Sequence, residues 1–418
     1  MWHKTIDVFK SDIEIVQEKI IAMFIDQCTN GAQAKGLLEQ NASACGQFIG
    51  QNARQIPQRG LHGTAAALRV LADSDNPEAR SLVPKLVNYI GNRLELEKKV
   101  GNTEKHRSLE EKVNLDENNV IKISEILYSL SFVKKAVCPT DHIVSKLTNK
   151  LEKRCIRKEG WGFFLNSANG EIDLLPTAYA IRGLASVGGK FEAPLQYLLS
   201  RLKANPSKDI NSTDFDIMTK ILSLFTIAFV KQGNGADQKS ELLKLLSPIW
   251  KSVEPLLSQE LEQNIEYSFV ATTFYVRVPW QLYLIALASH LSTFIFGSSA
   301  IRNRLKATIK SAKGNGFKYP HSGKMSSSRT NAILYDTLSL VKKELNRQFL
   351  YWVYYQIDRI RNALSARWVG YAGMIIALTL IIYSIKEYWL KTDKNIADLG
   401  PNFICAFVIS LMYFRKNR

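Results

Sequence analysis

Disulfide chemistry has little to work with in this chain: Cys28, Cys45, Cys138, Cys155 and Cys405 are odd in number and far apart across 418 residues. That spacing excludes a framework of cross-links. Metal-ligand patterns are equally scarce. Cys138 and His142 stand at i and i+4, but Pro139 interrupts the run and no third ligand follows, so neither a metal nor another cofactor is expected. Zinc-finger spacing, an aromatic RNA-binding signature and long Lys/Arg blocks are all missing, so nucleic acid is not the expected partner. An apolar leader is missing too. Met1 to Glu14 carries Lys4, Asp7, Lys10, Asp12 and Glu14, which predicts that the N-terminal part stays in the cytoplasm. The triplets Asn41-Ala-Ser43 and Asn211-Ser-Thr213 would then never meet a glycosylating enzyme.

Positive charge is present in excess: 55 Lys and Arg against 38 Asp and Glu give a formal +17. Such a balance favours anionic partners, and the C-terminal end indicates which kind. Trp368 to Ile385 runs without a formal charge, and Leu399 to Phe414 follows as a second apolar stretch. The first approaches the roughly 20 apolar residues that cross a bilayer as a helix. The second reaches only about 24 Å at the helical rise, so it must recruit Ile396, thin the bilayer or stop part way. Three cationic residues flank each outer side, Arg359, Arg361 and Arg367 before the first stretch and Arg415, Lys416 and Arg418 after the second, against Lys386, Lys391 and Lys394 in the loop, which also carries Glu387, Asp393 and Asp398; the charged start of the chain adds to the comparison. Both ends are therefore expected on the cytoplasmic side of an inner or plasma membrane, against anionic lipid.

Upstream, residues 1 to about 345 have apolar positions at helical spacing and little strict alternation, which predicts an all-α region. A phrase recurs in which a Gly-containing or polar turn leads into a helix of small and aliphatic residues. One copy is Gly60-Leu-His-Gly-Thr-Ala-Ala-Ala-Leu-Arg-Val-Leu-Ala72; another is Gly160-Trp-Gly-Phe-Phe with Leu175-Pro-Thr-Ala-Tyr-Ala-Ile-Arg-Gly-Leu-Ala185. A third is Gly316-Phe-Lys-Tyr-Pro320 with Arg329-Thr-Asn-Ala-Ile-Leu-Tyr-Asp-Thr-Leu338, and weaker copies lie at Val120 to Val133, Thr213 to Val230 and Val278 to Leu291. Six such helices, starting near residues 62, 119, 177, 213, 279 and 329, predict one helical hairpin per repeat. Six hairpins can close into an α/α toroid, with apolar helices inside and more polar partners outside. Pro176 and Pro279 suit first helical turns, where the missing donor costs nothing.

At Gly160-Trp-Gly-Phe-Phe and Leu175-Pro-Thr-Ala-Tyr-Ala-Ile-Arg-Gly-Leu the chain resembles the terpenoid cyclase and protein prenyltransferase superfamily of α/α toroids, over roughly residues 55 to 345. The resemblance implies a fold more than a chemistry. The Asp-x-Asp-Asp acid motif of the cyclases would fall at Asp173-Leu174-Leu175-Pro176, where leucine replaces the proton donor and proline the last acid. Leucine cannot protonate an alkene or epoxide. The zinc cluster of the prenyltransferases has no counterpart here. Ala44-Cys45-Gly46-Gln47 resembles the thioester motif of complement-like toroids, but Phe48 stands where the partner Gln should be, and a buried small thiol is the simpler reading.

Candidate ligand-binding residues for the ring centre are His62, Asp173, Tyr179, Arg182, Asp214, Asp216 and Trp280. Arg182 carries the argument, because a charge facing the centre of a toroid must be paired or bind an anion. Asp214 and Asp216 could hold magnesium-diphosphate or cap their helix. Taken singly, the others fit packing or capping as well. Trp352, Tyr355, Arg359, Arg361, Arg367 and Trp368 have the mixture of aromatic rings and arginines that favours the headgroup zone. Gly370, Gly373 and Ala377, with Ala406 and Ser410, form small-residue stripes that pack the two spans together or join chains in a homo-oligomer.

The expected layout is an N-terminal helical region at 1–55, a toroid at 56–345, a juxtamembrane amphipathic helix at 346–367, spans at 368–385 and 399–414 around a loop at 386–398, and a basic tail at 415–418. It predicts a membrane-anchored cytosolic module that senses a small-molecule or protein ligand, one version being a bacterial anti-phage effector that disrupts the membrane. The alternative is a membrane-tethered enzyme acting on isoprenoid or lipid substrates.

Overall fold

The computed structural model describes residues 2–30, 34–46, 48–49, 60–100, 119–134, 136–163, 165, 171–204, 214–231, 236–254, 257, 263–269, 272–278, 280–291, 299–315 and 326–365. Among them are thirteen helices: α1 (Trp2–Asn30), α2 (Ala34–Glu39), α3 (Leu61–Asp73), α4 (Pro77–Val100), α5 (Val120–Leu130), α6 (Asp141–Lys153), α7 (Leu174–Val187), α8 (Glu192–Ala204), α9 (Asp214–Val230), α10 (Ala236–Val253), α11 (Trp280–Leu291), α12 (Ser299–Asn315) and α13 (Ser328–Ser365). The helical expectation holds, and the six repeat helices begin at Leu61, Val120, Leu174, Asp214, Trp280 and Ser328.

Strand structure is the departure from that reading. β1 (Phe48–Ile49) pairs antiparallel with β4 (Ser326–Ser327), and β2 (Gln263–Phe269) with β3 (Thr272–Val278). Thr272-Thr-Phe-Tyr-Val-Arg-Val278 is dense in β-branched and aromatic residues, which suit an extended ladder better than a helix. Val278, read as the opening of a helical repeat, is instead the end of β3.

Burial separates two kinds of helix. Every residue of α5 is buried, as are all of α11 except His290 and most of α3 and α7. In α6 only Leu147 and Leu151 are buried, and α8 buries Pro194, Leu195, Leu198, Leu199 and Leu202 along one face. Charges on these one-faced helices follow the dipole: Asp141 and Glu192 lie in first turns, Lys150, Lys153, Arg201 and Lys203 in last turns.

The largely buried helices pack in chain order, α3 on α5, α5 on α7, α7 on α9 and α9 on α11. Thr337 of α13 donates to the Leu282 carbonyl of α11 at 3.4 Å, and Asp336 of α13 meets Arg69 of α3 at 3.2 Å. α1 packs on α3, α4 and α12, and is joined to α13 by a 2.8 Å bond from Gln17 Nε2 to Ser339 Oγ. α5 and α7 come close enough that a Cβ at Gly183 would lie 2.7 Å from the Ser124 carbonyl oxygen. α7 ends at Gly188, whose φ of 75° is the left-handed cap conformation that glycine adopts at least cost.

The repeated phrase has a local physical cause. Thr177 Oγ1 accepts from the Trp161 amide at 3.0 Å and donates to the Trp161 carbonyl at 3.2 Å, satisfying both backbone groups of the preceding turn. Thr64 Oγ1 does the same for Cys45, at 3.2 and 3.4 Å. Cys45-Gly46 is thus the first repeat's counterpart of Trp161-Gly162, with Cys45 buried. Trp161 is anchored further by a 2.9 Å bond from its indole N–H to the Leu151 carbonyl.

The chain divides into two compact units, Met1–Leu345 and Asn346–Arg418. Of the second, only the continuation of α13 to Ser365 is described. Among the described residues no helix is long and apolar enough to cross a membrane; the stretches 368–385 and 399–414 lie outside those residues.

Candidate functional site

Charged side chains recur on the otherwise apolar buried helices, and they converge. Glu125, one turn into α5, accepts from Arg329 Nε of α13 at 2.6 Å through Oε1 and contacts His62 Nδ1 of α3 at 2.8 Å through Oε2. Two turns further along the same helix faces, Arg69 Nε of α3 lies 3.2 Å from Asp336 Oδ2 of α13. The Arg69 contact has ion-pair distance without hydrogen-bond alignment. Tyr128 of α5 donates to the same Asp336 oxygen at 3.4 Å.

Between these pairs lies Arg182 of α7, 3% exposed. Its guanidinium carbon is 4.7 Å from the ring centre of Tyr128, 5.0 Å from that of Tyr179 and 5.6 Å from that of Tyr283. Three ring faces offer cation–π attraction, which strengthens when the pair is desolvated. Arg329 lies over the Tyr179 ring as well, at 5.1 Å, and the Tyr179 and Tyr283 hydroxyls are 3.0 Å apart. The Nη2 atoms of Arg182 and Arg329 are buried without a hydrogen-bond partner among the described residues.

The field of the cluster follows from its charges. Arg69, Arg182 and Arg329 face Glu125 and Asp336, and Asp73 adds a further negative charge near Asp336. Burial alone would raise the Glu125 carboxyl, but Arg329, the hydrogen bond to His62 and the charge of Arg182 hold it well below the usual range. Burial lowers His62 against the opposing pull of Glu125, and 28% of its side chain remains exposed. Asp336 moves the other way: desolvation raises it, in spite of Arg69 and Arg182. Burial also pushes the Tyr128 and Tyr179 phenols up, so their hydroxyls stay protonated donors.

Of the residues singled out from sequence, His62, Tyr179 and Arg182 join this cluster. Asp173 does not. It stands at the start of α7, half-buried, with its amide donating to the Trp161 carbonyl at 3.1 Å and its carboxyl raised by burial and by Glu171. Trp280 is buried at the start of α11, its indole N–H unpartnered among the described residues. Asp214 and Asp216 open α9, but their side chains lie outside the described residues. The same holds for the side chains of Trp352, Tyr355, Arg359 and Arg361, whose backbone belongs to α13. Arg367, Trp368, Gly370, Gly373, Ala377, Ala406 and Ser410 lie wholly outside.

Arg69, Glu125, Tyr128, Tyr283, Arg329 and Asp336 were not singled out. Arg69 and Glu125 are, like Arg182, charges on apolar buried helices. Among the described residues no group of three His, Cys, Asp or Glu side chains is placed to hold a metal ion. Comparison of the chain with protein-family models, with curated proteins and with solved structures finds no match.

Proposed function

We propose that α3, α5, α7, α9, α11 and the start of α13 are the inner helices of an α/α toroid. It serves as a cytosolic binding module, joined through a juxtamembrane segment to a two-span membrane hairpin. The chain-order packing of the buried helices supports the ring, as do the α13 bonds to α11 and α3. α1 would be an outer helix of the same ring. The uncharged stretches Trp368 to Ile385 and Leu399 to Phe414 support the hairpin, and the +17 balance supports contact with an anionic inner leaflet.

The observation that carries the binding reading is Arg182, buried among three tyrosine rings with one guanidinium nitrogen unpartnered. A desolvated cation with spare donor capacity is built to receive something. Catalysis on isoprenoids has less support. Leu175, where an acid would have to stand, is fully buried, and ring faces that could stabilise a carbocation already carry Arg182.

α13 runs without a break from Ser328 to Ser365, so a ligand engaging Arg329 acts on the helix that leads toward the uncharged stretches. The shortness of the second stretch favours an effector that perturbs the bilayer once its module is occupied. Expression of the full chain, of a chain ending at Ser365 and of Arg182→Gln, with membrane potential and carbonate-resistant association recorded, tests the proposal. The full chain should resist carbonate and depolarise cells when activated. The truncated chain should wash off and do nothing, and Arg182→Gln should stay embedded but silent. A truncated chain that remains embedded sinks the hairpin, and turnover of prenyl diphosphates sinks the binding reading.

A further inference from the structure

We infer that the centre of the buried helices binds a small oxyanion, a phosphate or carboxylate group, with Arg182, Arg329 and the Tyr179–Tyr283 hydroxyl pair as its donors. The inference deepens the binding-module reading and rests on it.

Arg182 and Arg329 each carry an Nη2 that is buried and donates to nothing among the described residues. The two tyrosine hydroxyls are bonded to each other at 3.0 Å, and whichever donates, the other's proton has no acceptor among the described residues. Donors without acceptors therefore gather around one ring: both guanidinium carbons lie near the Tyr179 centroid, at 5.0 and 5.1 Å. Glu125 and Asp336 are taken up by Arg329 with His62 and by Arg69 with Tyr128. Arg182 has no carboxylate within ion-pair distance among the described residues, so its own positive charge has no direct counter-ion there. An acceptor-only group with negative charge answers both imbalances, and a planar fork matches phosphate or carboxylate geometry. Because Tyr179 and Arg182 are 1% and 3% exposed, the recognised group is small and dry, where such contacts are strongest.

The test uses the full chain in detergent, titrated calorimetrically with inorganic phosphate and acetate, and separately with phosphatidic acid vesicles to distinguish a free anion from a lipid headgroup. Saturable binding in any arm is expected, weakened about tenfold or more in Tyr179→Phe and Arg182→Lys. Tyr179→Phe keeps the ring beneath both guanidiniums and removes only the hydroxyl, and an unchanged far-UV spectrum certifies its fold. No binding by the folded native chain overturns the inference, as does equal binding by both variants. Saturation of the same tyrosines by a neutral compound, without any response to anions, overturns the oxyanion while leaving the binding module standing.

Discussion

Glu125, one turn into its helix, accepts a 2.6 Å hydrogen bond from Arg329 at the start of another helix, across 204 positions of sequence. The pair ties the first half of the repeats to the last. Removing the carboxylate in Glu125→Gln leaves a buried guanidinium without its counter-charge, which costs about 3–5 kcal/mol. Urea unfolding should show this loss, and a much smaller one in Glu125→Leu combined with Arg329→Met, where neither charge is left alone.

The pH dependence separates His62 from Glu125. His62 is lowered from 6.5, so its stabilising contribution is complete above that value and fades as pH falls through the lowered folded value. Lys122 and Arg329 repel the imidazolium and Glu125 attracts it. Glu125 is depressed too, and its contribution fades only as acid passes well below the usual carboxylate range. Asp336, being raised, contributes below 3.8 and loses that contribution as pH rises through its folded value. Urea midpoints should therefore begin to drop in mildly acidic buffer for the native chain. In His62→Gln that early decline should vanish while the strongly acidic one remains.

Gly183 holds α5 and α7 at their closest approach, with Ser124 backbone in the place of a side chain. Backbone cannot rotate away as a flexible side chain can, so Gly183→Ala should destabilise by about 1–3 kcal/mol. It should also displace Arg182 from the Tyr128 ring. Thermal unfolding measures the first effect, and weakened anion binding the second.

Thr64 and Thr177 perform one task in two repeats, each satisfying the backbone donor and acceptor of a buried turn. Thr177→Val keeps the shape and removes both bonds, costing about 1–3 kcal/mol. Thr64→Val should cost a similar amount, and the double variant roughly the sum, since the two threonines share no partner. Denaturant titration of the three variants checks this additivity.

Helix positions were legible because repetition and apolar spacing are local properties. The Ala-rich phrases at Gly60 and Leu175 announce helices that bury nearly their whole surface, and α3 and α7 do so. The β2–β3 ribbon was missed because its alternation is brief and adjoins the helix opening at Trp280. Arg182 could be found as a charge on an apolar helix. Arg329 could not, because it looks like an ordinary polar residue in a first turn until Glu125 is brought beside it.

Periodicity and composition by themselves determined that this chain makes buried and one-faced helices in alternation, since each helix's apolar arc is written in its own residues. Which charges meet was decided only by tertiary structure. Arg182 finds three tyrosines from α5, α7 and α11, and Glu125 finds an arginine near the other end of the folded repeats. Coulombic and hydrogen-bonding partners are selected by distance in space, and helices far apart in sequence become neighbours only when their apolar faces pack.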